Sequence, residues 1–162
     1  MKLCRQLSQQ LLLSLLPLIL FSCVDNDVVY SDVRNVSPQE WTPEEKVDFS
    51  VAITDTTISY DFFIYLRHNI NYEWSNLFLF MKTVYPNQFY SLDTLECTLA
   101  EPTGRWLGKG FGTKKELTIF VKTVKFPQKG NYFFEMKQGM RDIELKNMEN
   151  IGIIISKHRN ND

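Results

Sequence analysis

The chain of 162 residues is poor in the side chains that do chemistry, with two histidines, His68 and His158, and three cysteines, Cys4, Cys23 and Cys97. A zinc centre needs several well-placed imidazoles or thiolates, and a nucleophilic triad needs an imidazole held beside a hydroxyl or thiol. His158 lies near the C-terminus among Lys157, Arg159 and Asn160, so neither centre can be built, and no cofactor, metal or catalytic residue is expected. Basic excess is also missing: 18 Lys and Arg stand against 19 Asp and Glu. Nucleic-acid binding rests on a basic stripe, so that partner class is excluded. No stretch shows a convincing helical period, and Asp142 to Asn150 offers one short turn at most. The one long apolar run, Leu11 to Phe21, is well short of the ~20 residues a helix needs to cross a bilayer.

That run is nonetheless informative. Lys2 and Arg5 precede it and Leu20-Phe21-Ser22-Cys23 ends it. A positive start, an apolar middle and a small residue at the cut make residues 1–22 a secretory signal peptide. Bacterial lipoprotein processing attaches lipid to a cysteine placed directly after the cut, so Cys23 is the expected lipidation site, although Phe21 is bulkier than is usual there. Two or three acyl chains hold a protein on a membrane effectively permanently, at ~0.8 kcal/mol per buried methylene. The first expected partner is therefore a membrane, reached through Cys23 and a short tether over 23–27. Removing the signal takes Lys2 and Arg5 with it and shifts the formal net charge from −1 to −3. Cys4 leaves as well, and Cys97 then stands alone. A lone exposed thiol is a liability in an oxidising compartment, so Cys97 is expected inside the core.

From Val28 onward the pattern is β, rich in aromatic and β-branched residues. Val47, Phe49, Val51 and Ile53 alternate with polar or small residues, as a strand with one wet face does. Tyr60 to Arg67 and Leu77 to Val84 are nearly continuous apolar runs, which predicts central strands covered on both faces. Leu95, Cys97 and Leu99 form another inward set, followed by Leu117, Ile119 and Val121, by Tyr132, Phe134 and Met136, and by Ile151 to Ile155. Turn chemistry joins them at Tyr85-Pro86-Asn87, Glu101-Pro102-Thr103-Gly104, Gly108 to Gly112 and Pro127 to Gly130. About seven or eight such strands predict an all-β fold, a single antiparallel two-sheet β-sandwich over residues 28–156, with 157–162 a polar tail. Jelly-roll-like and immunoglobulin-like topologies both fit, and the strand order stays unresolved.

The chain also resembles a known family, the gliding-motility lipoprotein GldH. The resemblance runs through Trp41, Asp48-Phe49, Leu66-Arg67-His68-Asn69 with Tyr72 and Asn76-Leu77, and Asp93-Thr94-Leu95. It continues through Gly104 to Gly110 around Trp106, Gly130-Asn131-Tyr132, Gln138-Gly139-Met140-Arg141 and Ile151-Gly152-Ile153. Phe21 and the Glu73-Trp74 pair depart from the pattern. What the resemblance implies is a lipid-anchored cell-envelope protein of some Bacteroidetes, required for gliding and linked to the type IX secretion machinery. It implies no reaction. The expected location is the outer membrane, facing the periplasm, and the expected partners are other envelope lipoproteins or gliding and secretion proteins.

Several residues invite a sharper reading. The glycine run from Gly104 to Gly112 lacks phosphate-loop spacing and better suits a tight bend in which Trp106 closes one end of the sandwich. Asp48, Asp55, Asp61, Asp93 and Glu96 are strand-borne carboxylates of the sort paired in glycosidases, but the sequence places no two at catalytic separation. His68, at a strand end, is expected to serve structure. Arg67 needs a carboxylate if it is partly buried, and Asp93 is the expected partner in a structural ion pair. Twelve Phe, seven Tyr and three Trp exceed what the inward sets absorb. Phe63, Tyr65, Phe78, Phe80, Phe120 and Phe133 fall on the opposite side, so an uncovered face bearing Phe78, Phe80 and Phe133 is the expected binding surface. A flat apolar face favours a protein partner; a groove with aromatic platforms favours the alternative, a lipid-anchored carbohydrate- or ligand-binding module.

Overall fold

The computed structural model describes residues 27–159, so the signal segment and Cys23 lie outside the described residues. Every regular element described is a strand: β1 (Val28–Asn35), β2 (Val47–Ile53), β3 (Tyr60–Asn69), β4 (Asn76–Val84), β5 (Tyr90–Thr98), β6 (Lys114–Val124), β7 (Gly130–Gln138) and β8 (Met148–Lys157). The first pairs with the last, β2 with β7, β3 with β6 and β4 with β5, as in one long hairpin rolled on itself. Antiparallel β3–β8 and β4–β7 pairs complete two four-stranded sheets, ordered β1-β8-β3-β6 and β2-β7-β4-β5. This nested order is a jelly roll, which resolves the topology that the sequence left open.

Alternation explains why each strand faces as it does. In β2, Val47, Phe49, Val51 and Ile53 are buried while Asp48, Ser50 and Ala52 are exposed, and β3 buries Tyr60, Phe62, Ile64, Leu66 and His68 on the same period. The inward sets of both sheets interdigitate as one core, with tilted or edge-on ring contacts such as Phe62–Phe134 within it and Phe126–Tyr132 toward the end of the 125–129 turn. β3 and β4 are inner strands of their sheets, but they are covered on one face only. Phe80 on the outer side of β4 is 44% exposed, because no helix or further sheet among the described residues lies over it. Apolar outward residues, rather than burial on two sides, make these runs look continuous.

The two ends of the sandwich differ. The turns over 54–59, 85–89 and 125–129 lie at the end that carries Asp27 and Arg159, whereas the longer connections over 36–46, 70–75, 99–113 and 139–147 crowd the other. Trp41 closes that second end, fully buried and bridged through its backbone to Leu145. Trp106 packs there too, half-buried with its ring 4.5 Å from that of His68. The bend after it depends on Gly110, at φ +155°, where an added Cβ would sit 2.3 Å from the Lys114 carbonyl oxygen. Residues that carry the family resemblance, among them His68, Tyr72, Trp106 and Gln138, gather at this end.

Cys97 faces inward from β5 at 1% exposure, and burial pushes its thiol up to about 12. Thiolate is the reactive form. A bulky maleimide is therefore expected to label native protein very slowly and denatured protein fast; rapid labelling of the native state would reverse the facing of β5.

Candidate functional site

Three of the candidate carboxylates have a local partner, and Asp55 lies in the 54–59 turn rather than on a strand. Asp55 accepts bonds from the hydroxyl and amide of Thr57, which hold its carboxyl below the usual range. Burial alone would raise Asp61, but Thr123 Oγ1 at 2.7 Å and His158 Nδ1 at 2.9 Å hold it low. Glu96 accepts from Asn76 Nδ2 at 2.8 Å. Asp48 stands opposite Glu135 in the β2–β7 ladder, on the face turned to solvent. Among the described residues, no group of three or more His, Cys, Asp or Glu could hold a metal ion.

The expected Arg67–Asp93 pair does not form, because Arg67 lies on the outer side of β3 while Asp93 shares the inward side of β5 with Cys97. Arg67 points outward from β3, with its Nε 3.5 Å from both Glu116 and Glu149. Lys114 completes that network at 2.9 Å from Glu149. Asp93 on β5 faces the open side of the sandwich, 3.9 Å from Lys122 on β6. The β3–β6 register sets Arg67 against Glu116, information that a sequence without strand order does not hold.

His68 is wholly buried among aromatic rings. Its Nδ1 lies 3.0 Å from the Asn69 carbonyl oxygen, which can only accept, so in the neutral ring Nδ1 carries the proton. Nε2 is then an acceptor with no partner. Burial pushes the His68 pKa down, since a cation there would lose its water; the Asn69 bond and Glu149 oppose this, while Lys115 adds to it. The folded pKa is depressed, so stability is full above the free value of about 6.5 and is lost as pH falls below it. Urea titrations from about pH 7 to about pH 5 should show this acid loss, and His68→Gln should flatten it. An equally steep profile in that variant would assign the acid limb to other groups.

The outer face of the second sheet is where exposed apolar area and charge meet. Phe80 is 44% and Phe133 50% exposed, whereas Phe78 is half-buried, with its amide 3.2 Å from the sulfur of Met140. These aromatics do not form one patch. Phe80 stands opposite Lys137 and Phe133 opposite Val84, four residues further along β4, roughly 13 Å apart at the usual strand rise. Lys82 and Glu135 pair between them in the register, and Lys46 holds Glu135 at 2.9 Å. Tyr90 and Leu92 on the edge strand β5 extend the face; they are 61% and 71% exposed, and the Lys82 ammonium lies 4.9 Å over the Tyr90 ring. A hollow of about 380 Å³ opens here, lined by Phe80, Lys82, Leu92, Thr94, Glu135 and Lys137 among others. Tyr90 and Leu92 lie outside the expected surface, although they alternate with Ser91 and Asp93 in the sequence.

These features define a class: a jelly-roll domain with no metal-binding cluster among the described residues and with exposed aromatics on a charged outer face. The chain belongs to the GldH lipoprotein family, whose model matches residues 28–155. It is 37% identical over 151 residues to a Christiangramia forsetii protein described as a gliding motility lipoprotein GldH homolog, with 88% of this chain and 92% of that one covered. It is 37% identical over 132 residues to the gliding motility lipoprotein GldH of Flavobacterium johnsoniae, covering 81% of this chain and 80% of the other. Among solved structures, a family GH115 4-O-methyl-α-glucuronidase with specificity for decorated arabinogalactans is similar over 84% of this chain and 18% of its own, at TM-score 0.43 and 11% identity. At that distance the likeness extends to neither activity nor substrate.

Proposed function

We propose that this protein is a lipid-anchored component of the cell envelope that serves gliding and the type IX secretion machinery without catalysis. Cys23 holds it in the outer membrane, facing the periplasm, and its jelly roll binds another envelope lipoprotein or a gliding or secretion protein. Family membership supports the gliding role, since both curated relatives carry that name. The observation that carries the binding reading is the outer face of the second sheet, where Phe80, Tyr90, Leu92 and Phe133 are exposed around Lys82, Glu135 and Lys137. Exposed aromatics set around charged groups supply anchors for a protein partner, and the charges fix its orientation.

Phe80→Ser and Phe133→Ala should each weaken partner recovery from envelopes while circular dichroism and melting stay close to the parent. A hot-spot truncation costs about 2 kcal/mol, roughly a thirtyfold loss of affinity. Phe120→Ala, on the outer face of the other sheet, should leave recovery intact. Folded Phe80 and Phe133 variants that recover partners fully would remove this face from the mechanism.

A further inference from the structure

The short-turn end of the sandwich is one connected surface. Lys157 donates its amide to the Asp27 carbonyl and His158 to that of Ser59, which ties the ends of β8 and β1 to the 54–59 turn. Gly130 lies so close to Pro86 that an added Cβ would sit 3.0 Å from the proline ring, so the 125–129 turn abuts the 85–89 turn. At the tip of this surface Phe89 is 74% exposed, and Tyr90 beside it 61%.

Its charges are unevenly spent. Asp27 pairs with Arg159, Asp55 is held by Thr57, and Asp61 by Thr123 and His158. Lys125, Lys129 and Lys157 are all exposed and belong to none of the ion pairs among the described residues. The end therefore presents an uncovered aromatic and three exposed cations outside those ion pairs.

Only Val24, Asp25 and Asn26 separate Asp27 from Cys23. Even fully extended, that connection spans no more than about 14 Å. If Cys23 is acylated, this end is held against the bilayer. The opposite end stands about 30 Å further out, the length of strands of this size at the usual rise.

We propose that the short-turn end rests on the lipid surface, with Phe89 at the boundary between headgroups and acyl chains and Lys125, Lys129 and Lys157 against lipid phosphates. This inference rests on the anchoring of Cys23. Aromatic rings favour the headgroup level, and lysines near an anionic surface add attraction. The contact gives the domain a fixed orientation on its tether: the second sheet stands edge-on to the membrane, and the long loops with the fully exposed Phe111 point away from it.

The test uses full-length lipidated protein reconstituted into vesicles of phosphatidylethanolamine with phosphatidylglycerol. Cys97 is buried and expected to label far more slowly than an exposed thiol, so Phe89→Cys and, as a distal control, Phe111→Cys can each carry one environment-sensitive fluorophore after a brief reaction. The label at 89 should shift to the blue and be quenched several-fold more than that at 111 by a nitroxide on the lipid headgroup. Equal quenching at both positions, in protein that resists a carbonate wash, would overturn the tip contact and leave the anchor standing. Release by the wash would overturn the anchor and this inference with it. Replacing Lys125, Lys129 and Lys157 together with glutamine should lower quenching at 89 toward the level found in phosphatidylcholine vesicles; an unchanged value would remove the lysines from the contact.

Discussion

Trp41→Ala is expected to cost about 4 kcal/mol, the range for removing a large aromatic from a packed interior. The side chain has no exposed surface, and its Nε1 donates to the Glu45 carbonyl oxygen at 3.1 Å. Its backbone exchanges two hydrogen bonds with Leu145, at 3.0 and 3.1 Å, which staples the 36–46 connection onto the 139–147 connection. Gln138, itself buried, reinforces the second of these by donating to the Asp142 carbonyl at 2.9 Å and accepting from the Met140 amide at 2.7 Å. Truncation would thus open a cavity, strand a carbonyl and loosen both loops. A domain of this size has only about 5–15 kcal/mol of total stability, so the loss is a large share of it. Thermal melting should fall by more than about 10 °C, and the urea midpoint should fall with it. Trp41→Phe, which keeps most of the volume but not the bond, should fall between. A melting point within a few degrees of the parent would show that the two loops hold each other without the indole.

Strand identity was legible where one face is buried and the other wet. β2 could be read residue by residue, because Val47, Phe49, Val51 and Ile53 are all in the core. β5 was read too short, and the reason is physical. Its first inward residues are Ser91 and Asp93, which line the open side of the sandwich beside Lys122, so their polarity hid the alternation. On β6 the period holds through Val121, where a register shift opposite Phe62 and Phe63 breaks it and brings Lys122 to the same opening. Strand order was not legible at all, since nested pairing of first with last leaves no local mark. That is also why Arg67 was matched with Asp93 rather than with Glu116, its cross-strand neighbour. The outward set was legible, and Phe80, Phe120 and Phe133 are half-exposed or nearly so. How far apart they stand was not, because that needs the register.

Cys23→Ala is expected to abolish lipid attachment and, in any chain whose signal segment is removed, membrane retention with it. Without the thiol there is no acceptor for lipid, and cleavage before residue 23, which follows acylation, fails with it. The arithmetic favours a near-complete effect: at ~0.8 kcal/mol per methylene, two or three chains bind effectively permanently and one only marginally. The lysines and Phe89 at the membrane-facing tip cannot replace that, because a few surface cations and one aromatic supply a small part of what a pair of acyl chains does. Envelopes from cells making the variant should be washed in carbonate and the N-terminus defined by mass. The parent should remain in the pellet as a chain beginning at Cys23 and carrying lipid. The variant should either keep its signal segment uncleaved or appear as a domain in the wash. A cleaved Cys23→Ala chain that stayed in the pellet would mean that something other than lipid holds the jelly roll to the membrane, and the placement of its two ends would then have to be argued from that attachment instead.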